Sequence, residues 1–261
     1  MKRNPFSAQS ALENSTLHWG RQGCLAAAEP KPIKRPEFLD EAHRAFRDLV
    51  LTPGFSCIGA KAAFHADAYG FASYACLGSD AATAGLSRDL CEFASSSVVE
   101  QSEYATFVAV FESPCDAGEA EFEKLLWQQL HRLHLEDRRY FRWDDSVSSD
   151  PTNPQFSFSF AERAFYVIGM HPGSSRNARR FAWPALVFNP HEQFERLRTD
   201  GKWKKMQSAI RARELVLQGN INPMLSDFGE QSEARQYSGR VVGKEWSPPV
   251  PGGGKCPFGH G

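Results

Sequence analysis

Residues 155–170 read QFSFSFAERAFYVIGM. Gln155–Phe160 and Ala164–Met170 are short runs of aromatic, aliphatic and hydroxyl-bearing side chains, the composition of strands. The Ala161-Glu162-Arg163 segment between them is short enough for a hairpin. Downstream, Ala185–Asn189 fits a further strand, and His191–Arg198 and Trp203–Leu217 fit helices. Upstream, the strand-like stretches are Phe55–Ala60, Tyr69–Leu77 and Ala105–Phe111. Helical spacing of apolar residues marks Glu37–Leu51, through Phe38, Leu39, Ala42, Phe46 and Leu49, and Ala117–His134, through Phe122, Leu125, Leu126, Leu130 and Leu133. Gly78-Ser79-Asp80 offers the N-cap of a helix running to about Phe93. Helices and strands mix without strict alternation, which predicts an α+β domain: a mixed, largely antiparallel sheet with helices packed on it.

Outside this block the sequence loses its period. Residues 1–36 read as an extended, partly disordered arm, 37–240 as one α+β catalytic domain, and 241–261 as a Pro/Gly-rich tail ending in CPF, mobile unless pinned. The chain of 261 residues is 41% hydrophobic and 23% charged, ordinary globular usage. No apolar run reaches the ~18 residues of a membrane span, and MKRNPFSAQS is not followed by the apolar stretch of an export signal. None of Cys24, Cys57, Cys76, Cys91, Cys115 and Cys256 forms a CxxC pair, so a zinc ribbon and a thioredoxin motif are unsupported; the cysteines read as reduced thiols of a cytoplasmic protein. Residues 1–170 carry a net −7 and residues 171–240 a net +5. The near-neutral total argues against nucleic acid as a partner.

The densest chemistry lies in Gly169–Phe181, GMHPGSSRNARRF, which puts His171, Ser174, Ser175, Arg176, Arg179 and Arg180 between two strands. Arginine forks suit carboxylate or phosphate oxygens; the bland alternative is a solvated basic loop. His131 and His134 share a helix face but lack a third ligand in register. His191, after Asn189-Pro190, suits a helix cap as well as a ligand. Cys256-Pro257 can present a thiolate to haem iron or be a free thiol. Residues 218–240, QGNINPMLSDFGEQSEARQYSGR, hold Asp227, Glu230 and Glu233 for a cationic group, and Arg235, Gln236, Tyr237 and Arg240 for acidic ones. No Walker A loop, GxGxxG turn, GxSxG elbow or HExxH is present.

FSCIGAKAA, SDAATAGLSRDL, FVAVFESP, FEKLLWQQLHRLH, the long block SVSSDPTNPQFSFSFAERAFYVIGMHPGSSRNARRFAWPALVFNPHEQFERLR, LQGNINPMLSDFGEQSEARQYSGR and the closing CPF together resemble the YqcI/YcgG family, from about Phe55 to Phe258. Characterised members are haem-dependent oxygenases that N-hydroxylate the guanidine of arginine for natural-product pathways. The resemblance therefore implies haem b, dioxygen or peroxide, an electron donor, and N-oxygenation of a small guanidine or amine. On that reading His171 is the expected axial ligand, with Cys256 as the alternative, and Arg176, Arg179 and Arg180 hold the propionates. Asp227 and Glu230 act at the reacting nitrogen with Glu233 beside them, and Arg235, Arg240 and Tyr237 bind the rest of the substrate. A haem-binding sensor or carrier without turnover is the alternative function. A metal-independent hydrolase has no visible nucleophile–base pair.

Overall fold

A computed structural model describes residues 4–29, 31–226, 228–249 and 258. Its centre is a seven-stranded sheet: β1 (His18–Arg21), β2 (Cys24–Ala27), β3 (Tyr69–Cys76), β4 (Thr106–Ser113), β5 (Phe158–Phe160), β6 (Arg163–Met170) and β7 (Ala185–Pro190). The spatial order is β2-β1-β3-β4-β7-β6-β5. Only β3 and β4 pair in parallel; every other neighbour is antiparallel, so the fold is α+β with a mixed sheet. The β5–β6 hairpin closes through Ala161 and Glu162, at φ 53° and 60°. Positive φ at both turn residues matches the twist of the flanking strands. The Asp137 carboxylate accepts from the Ala161 N–H at 2.8 Å and fixes that turn.

The helices are α1 (Gln9–Asn14), α2 (Glu37–Leu51), α3 (Ile58–His65), α4 (Asp80–Ala94), α5 (Ser97–Gln101), α6 (Glu119–Asp137), α7 (His191–Thr199) and α8 (Trp203–Gln218). In α2 the buried residues Leu39, Ala42, His43, Phe46 and Val50 fall on one stripe, while Glu37 and Asp40 favour its positive N-terminal end. Ser79 caps α4 by accepting from the Ala82 N–H at 3.2 Å.

The sheet separates two cores. On one face α4 and α6 cover Phe107, Phe111, Phe165, Val167 and Phe188. On the other, α2 and α3 cover Val108, Val110, Ile168, Met170 and Val187. The alternation of strand side chains sorts these sets.

Two expectations are corrected. Phe55–Ala60 is not a strand: α3 begins at Ile58, with the Cys57 sulfur accepting from the Ala60 N–H at 3.4 Å, and the alanine-rich run that follows favours helix. Residues 1–36 are not merely an arm. They contain α1 and the β1–β2 hairpin that forms the sheet edge, and Ser15 and Thr16 bond the buried Asp89 carboxylate at 2.5 and 2.9 Å. The stretch after 240 is packed where it is described. Trp246 Nε1 donates to Glu123 at 3.1 Å, and Phe258 is fully buried among Trp127, Trp143, Phe156 and Phe158. No helix among the described residues is long and apolar enough to cross a membrane.

Candidate functional site

A largely apolar cavity of about 250 Å³ lies on the α2/α3 face, roofed by α8. That volume is at the lower edge of small-molecule sites, usually about 300–1,000 Å³. The floor is the even-numbered row of β6, Tyr166, Ile168 and Met170, with Val187 and Asn189 of β7. Cys57 and Ala60 of α3 line one side. The roof is a single stripe of α8, Trp203, Met206, Gln207, Ile210, Arg211 and Glu214, at the spacing of one helical face.

Polar groups gather where β7 runs into α7. His191, the first residue of α7, keeps the parity of Val187 and Asn189 and so faces the cavity. Its Nε2 lies 3.3 Å from Glu195 Oε1 and its Nδ1 4.0 Å from Glu233 Oε2. The Nδ1 atom is buried and accepts or donates no hydrogen bond. Burial holds the His191 pKa below the usual imidazole range against the opposing pull of Glu195. Glu233 sits on a 3-10 turn, Glu233–Gln236, entered through Ser232. Its Oε1 accepts from Tyr237 Oη at 2.6 Å and Ser157 Oγ at 2.7 Å. Burial raises its pKa to about 8, so the carboxyl is neutral at pH 7.

The residues expected to act together are dispersed. His171 has the parity of Phe165 and Val167 and lies on the opposite face, stacked on Phe122 of α6 at 4.3 Å. Neither ring nitrogen has a hydrogen-bond partner, and burial lowers its pKa, opposed by the nearby Glu119 and the Ala117 carbonyl. The three arginines after it are internal staples. Arg176 is closed by Glu214 at 2.6 Å and Asn220 at 2.5 Å. Arg179 donates to the carbonyls of Gly169, Tyr237 and Gln236 at 3.1–3.2 Å, and Arg180 to that of Ser174 at 3.0 Å. Ser174 is buried in this turn, while Ser175 bonds Glu119.

Of the described site candidates in 218–240, Glu233 and Gln236 line the cavity, whereas Glu230, Arg235, Tyr237 and Arg240 do not. Glu230 is exposed. Arg235 donates to the Gly243 carbonyl at 2.6 Å and lies over Trp246. Arg240 is bonded to Glu123, which also accepts from Ser238 at 3.1 Å. Tyr237 is fully buried in the α6-side core. His134 packs edge-on to Trp143 and Phe258, and His131 is half-buried beside it on α6. Asp227 and Cys256 lie outside the described residues. Two cavity residues have weak signals in the sequence: His191, readable there as a cap or a ligand, and Arg211, with no motif around it. Counting alternation through β7 into the helix was the available signal for His191.

The profile of the YqcI/YcgG family matches residues 46–258, which takes in every wall of the cavity. The chain belongs to the YqcI/YcgG family. Comparison with curated proteins and with solved structures gives no match. In this YqcI/YcgG chain the described residues contain no cluster of three or more His, Cys, Asp or Glu able to hold a bare metal ion. In donor chemistry the lining suits a haem: many apolar residues, and one buried neutral imidazole with a nitrogen that makes no hydrogen bond. The other nitrogen of that ring is held by a carboxylate, as in most metal-ligating histidines.

Proposed function

We propose that this protein is a haem-dependent N-oxygenase acting on a small guanidine or amine, with His191 as the ligand of haem b at the α8 cavity; at about 250 Å³ that cavity is smaller than a porphyrin, so haem entry requires the α8 roof to move outward. The observation that carries the reading is the His191 ring. With its proton on Nε2, toward Glu195, Nδ1 keeps a lone pair that takes no hydrogen bond, on a residue that lines the cavity. Glu195 fixes that tautomer and orients the ring, and burial keeps it uncharged at neutral pH. Tyr166, Ile168, Val187, Met206 and Ile210 give the same volume apolar walls. Glu233, neutral and locked by Tyr237 and Ser157, adds a polar wall without placing a second charge beside His191. When bound, haem supplies activation of dioxygen or peroxide for oxygen transfer to nitrogen, with electrons from a separate donor. The protein contributes ligation, orientation and apolar walls.

The test is an absorption spectrum of the purified protein, before and after haem addition, for the wild type, His191→Ala and His171→Ala. The wild type is expected to show a Soret band. His191→Ala should lose or strongly shift it, and His171→Ala should keep it. A wild type with no Soret band after haem addition sinks the reading. An unchanged band in His191→Ala moves the ligand elsewhere, and a strongly red-shifted carbonyl band then identifies a thiolate, Cys57 or Cys256.

A further inference from the structure

The cations on the cavity wall differ in how they are spent. Arg179 gives its guanidinium to three backbone carbonyls. Arg198 is paired with Glu195 and lies 5.0 Å over the Trp203 ring. Glu214, the acid one turn along from Arg211, is closed by Arg176 at 2.6 Å. Glu233 is neutral and bonded elsewhere. Arg211 is half-buried on the inward stripe of α8, between Gln207 and Glu214, and makes no hydrogen bond or ion pair among the described residues.

A cation on the buried face of a helix is costly unless an anion meets it. An arginine fork is shaped for a carboxylate. Away from the polar corner at His191 and Glu233, the wall carries Phe46, Val50, Ile168, Met170 and Val187, which fits the hydrocarbon part of the same ligand.

We infer that Arg211 is the carboxylate receptor of this cavity and that the natural ligand is amphipathic, an apolar body carrying a carboxylate that meets the α8 wall. Two sources share that chemistry: a haem propionate and the carboxylate of an amino-acid substrate. The inference rests on the reading of this cavity as the ligand site and does not require haem.

The first arm compares octanoate with 1-octanol, followed by calorimetry and by Trp203 fluorescence. The wild type is expected to bind octanoate about tenfold to a hundredfold more tightly than octanol, the range for one charge-assisted pair. Arg211→Gln should erase the preference, and Arg211→Lys should retain part of it. Ile210→Trp, which fills the cavity, should abolish binding of both probes and so locates them. Thermal unfolding of each variant shows that it is folded. A wild type that binds neither probe, or binds them equally, overturns the inference, as does an undiminished preference in Arg211→Gln.

The second arm assigns the source. Weaker haem uptake in Arg211→Gln, with arginine and agmatine bound equally by the wild type, identifies a propionate. A wild-type preference for arginine over agmatine that vanishes in Arg211→Gln identifies the substrate carboxylate. Loss of neither rejects a role for Arg211 in either natural ligand. A missing Soret band with the octanoate preference intact removes the haem reading and leaves the receptor standing.

Discussion

Asp137 shows how one buried side chain sets a pH dependence. Its carboxyl is almost inaccessible, at 2% exposure, and accepts from the Ala161 N–H in the tight β5–β6 turn. Desolvation raises its pKa to about 7, opposed by that hydrogen bond. Between about pH 4 and 7 the folded protein holds a proton that the unfolded chain has released. Stability from this group is therefore full below the unfolded value and is lost as pH rises through 7. Asp89, raised to about 6 by burial, acts in the same sense. His43, lowered to about 4 by burial, acts in the opposite sense: the unfolded chain takes up its proton first, so stability falls as pH drops from 6.5 toward 4. Asp137→Asn keeps an acceptor for Ala161 and removes the titration. The variant is expected to be more stable than the wild type at pH 8, by on the order of a few kcal/mol, and to match it near pH 4. Urea unfolding at a series of pH values measures this, and parallel curves for the two proteins would refute it.

Contacts between elements are set by small residues that the sequence does not advertise. Gly85 faces α1 from the middle of α4, and a Cβ there would lie 2.1 Å from the Asn14 carbonyl oxygen. That atom is backbone and cannot rotate away. Alanine normally improves a helix by ~1 kcal/mol over glycine. Here it would push α1 off α4 and strain the Ser15 and Thr16 bonds to Asp89, so Gly85→Ala is expected to lose ~1–3 kcal/mol. Hydrogen exchange should quicken first in α1. A Gly85→Ala protein more stable than the wild type would show that α1 is not held there. The same scale separates what the sequence revealed from what it hid. The α2 stripe and the Ser79 cap are written in local spacing and fold as read; the β5–β6 hairpin forms too, with β5 shortened to Phe158–Phe160 and the turn to Ala161-Glu162. α3 begins on a cysteine sulfur, a cap that the usual Ser/Thr/Asp signal does not cover. α1 has six residues and β1 and β2 four each, too short to display a period. His171 and His191 are equally conspicuous in sequence, yet strand parity sends them to opposite faces of the sheet. Whether an arginine is spent on a carbonyl, as Arg179 is, or left open, as Arg211 is, depends on chain segments dozens of residues away.

For the molecule as a whole, the sheet divides the labour. The cavity and its polar wall lie on the α2/α3 face, whereas the C-terminal segment is anchored on the α6 face. Phe258 fills a cage there, 5.3 Å from Trp143, 5.4 Å from His134, 5.9 Å from Phe156 and 6.2 Å from Trp127. The indole nitrogens of Trp127 and Trp143 have no hydrogen-bond partner, so the cage is held by ring packing. Phe258→Ala leaves a void in this ring-packed cage, and it is expected to cost ~3–5 kcal/mol. Tryptophan fluorescence should shift as Trp127 and Trp143 gain access to water. At temperatures where the variant is folded, its octanoate affinity should equal that of the wild type, because the β4, β6 and β7 backbones stand between the cage and the cavity. Equal affinity with a lowered melting point confirms that the two faces act independently. A folded Phe258→Ala protein that no longer binds the cavity probe would instead mean that the cage shapes the ligand site through the sheet, and the division into a stabilising face and a binding face would fall.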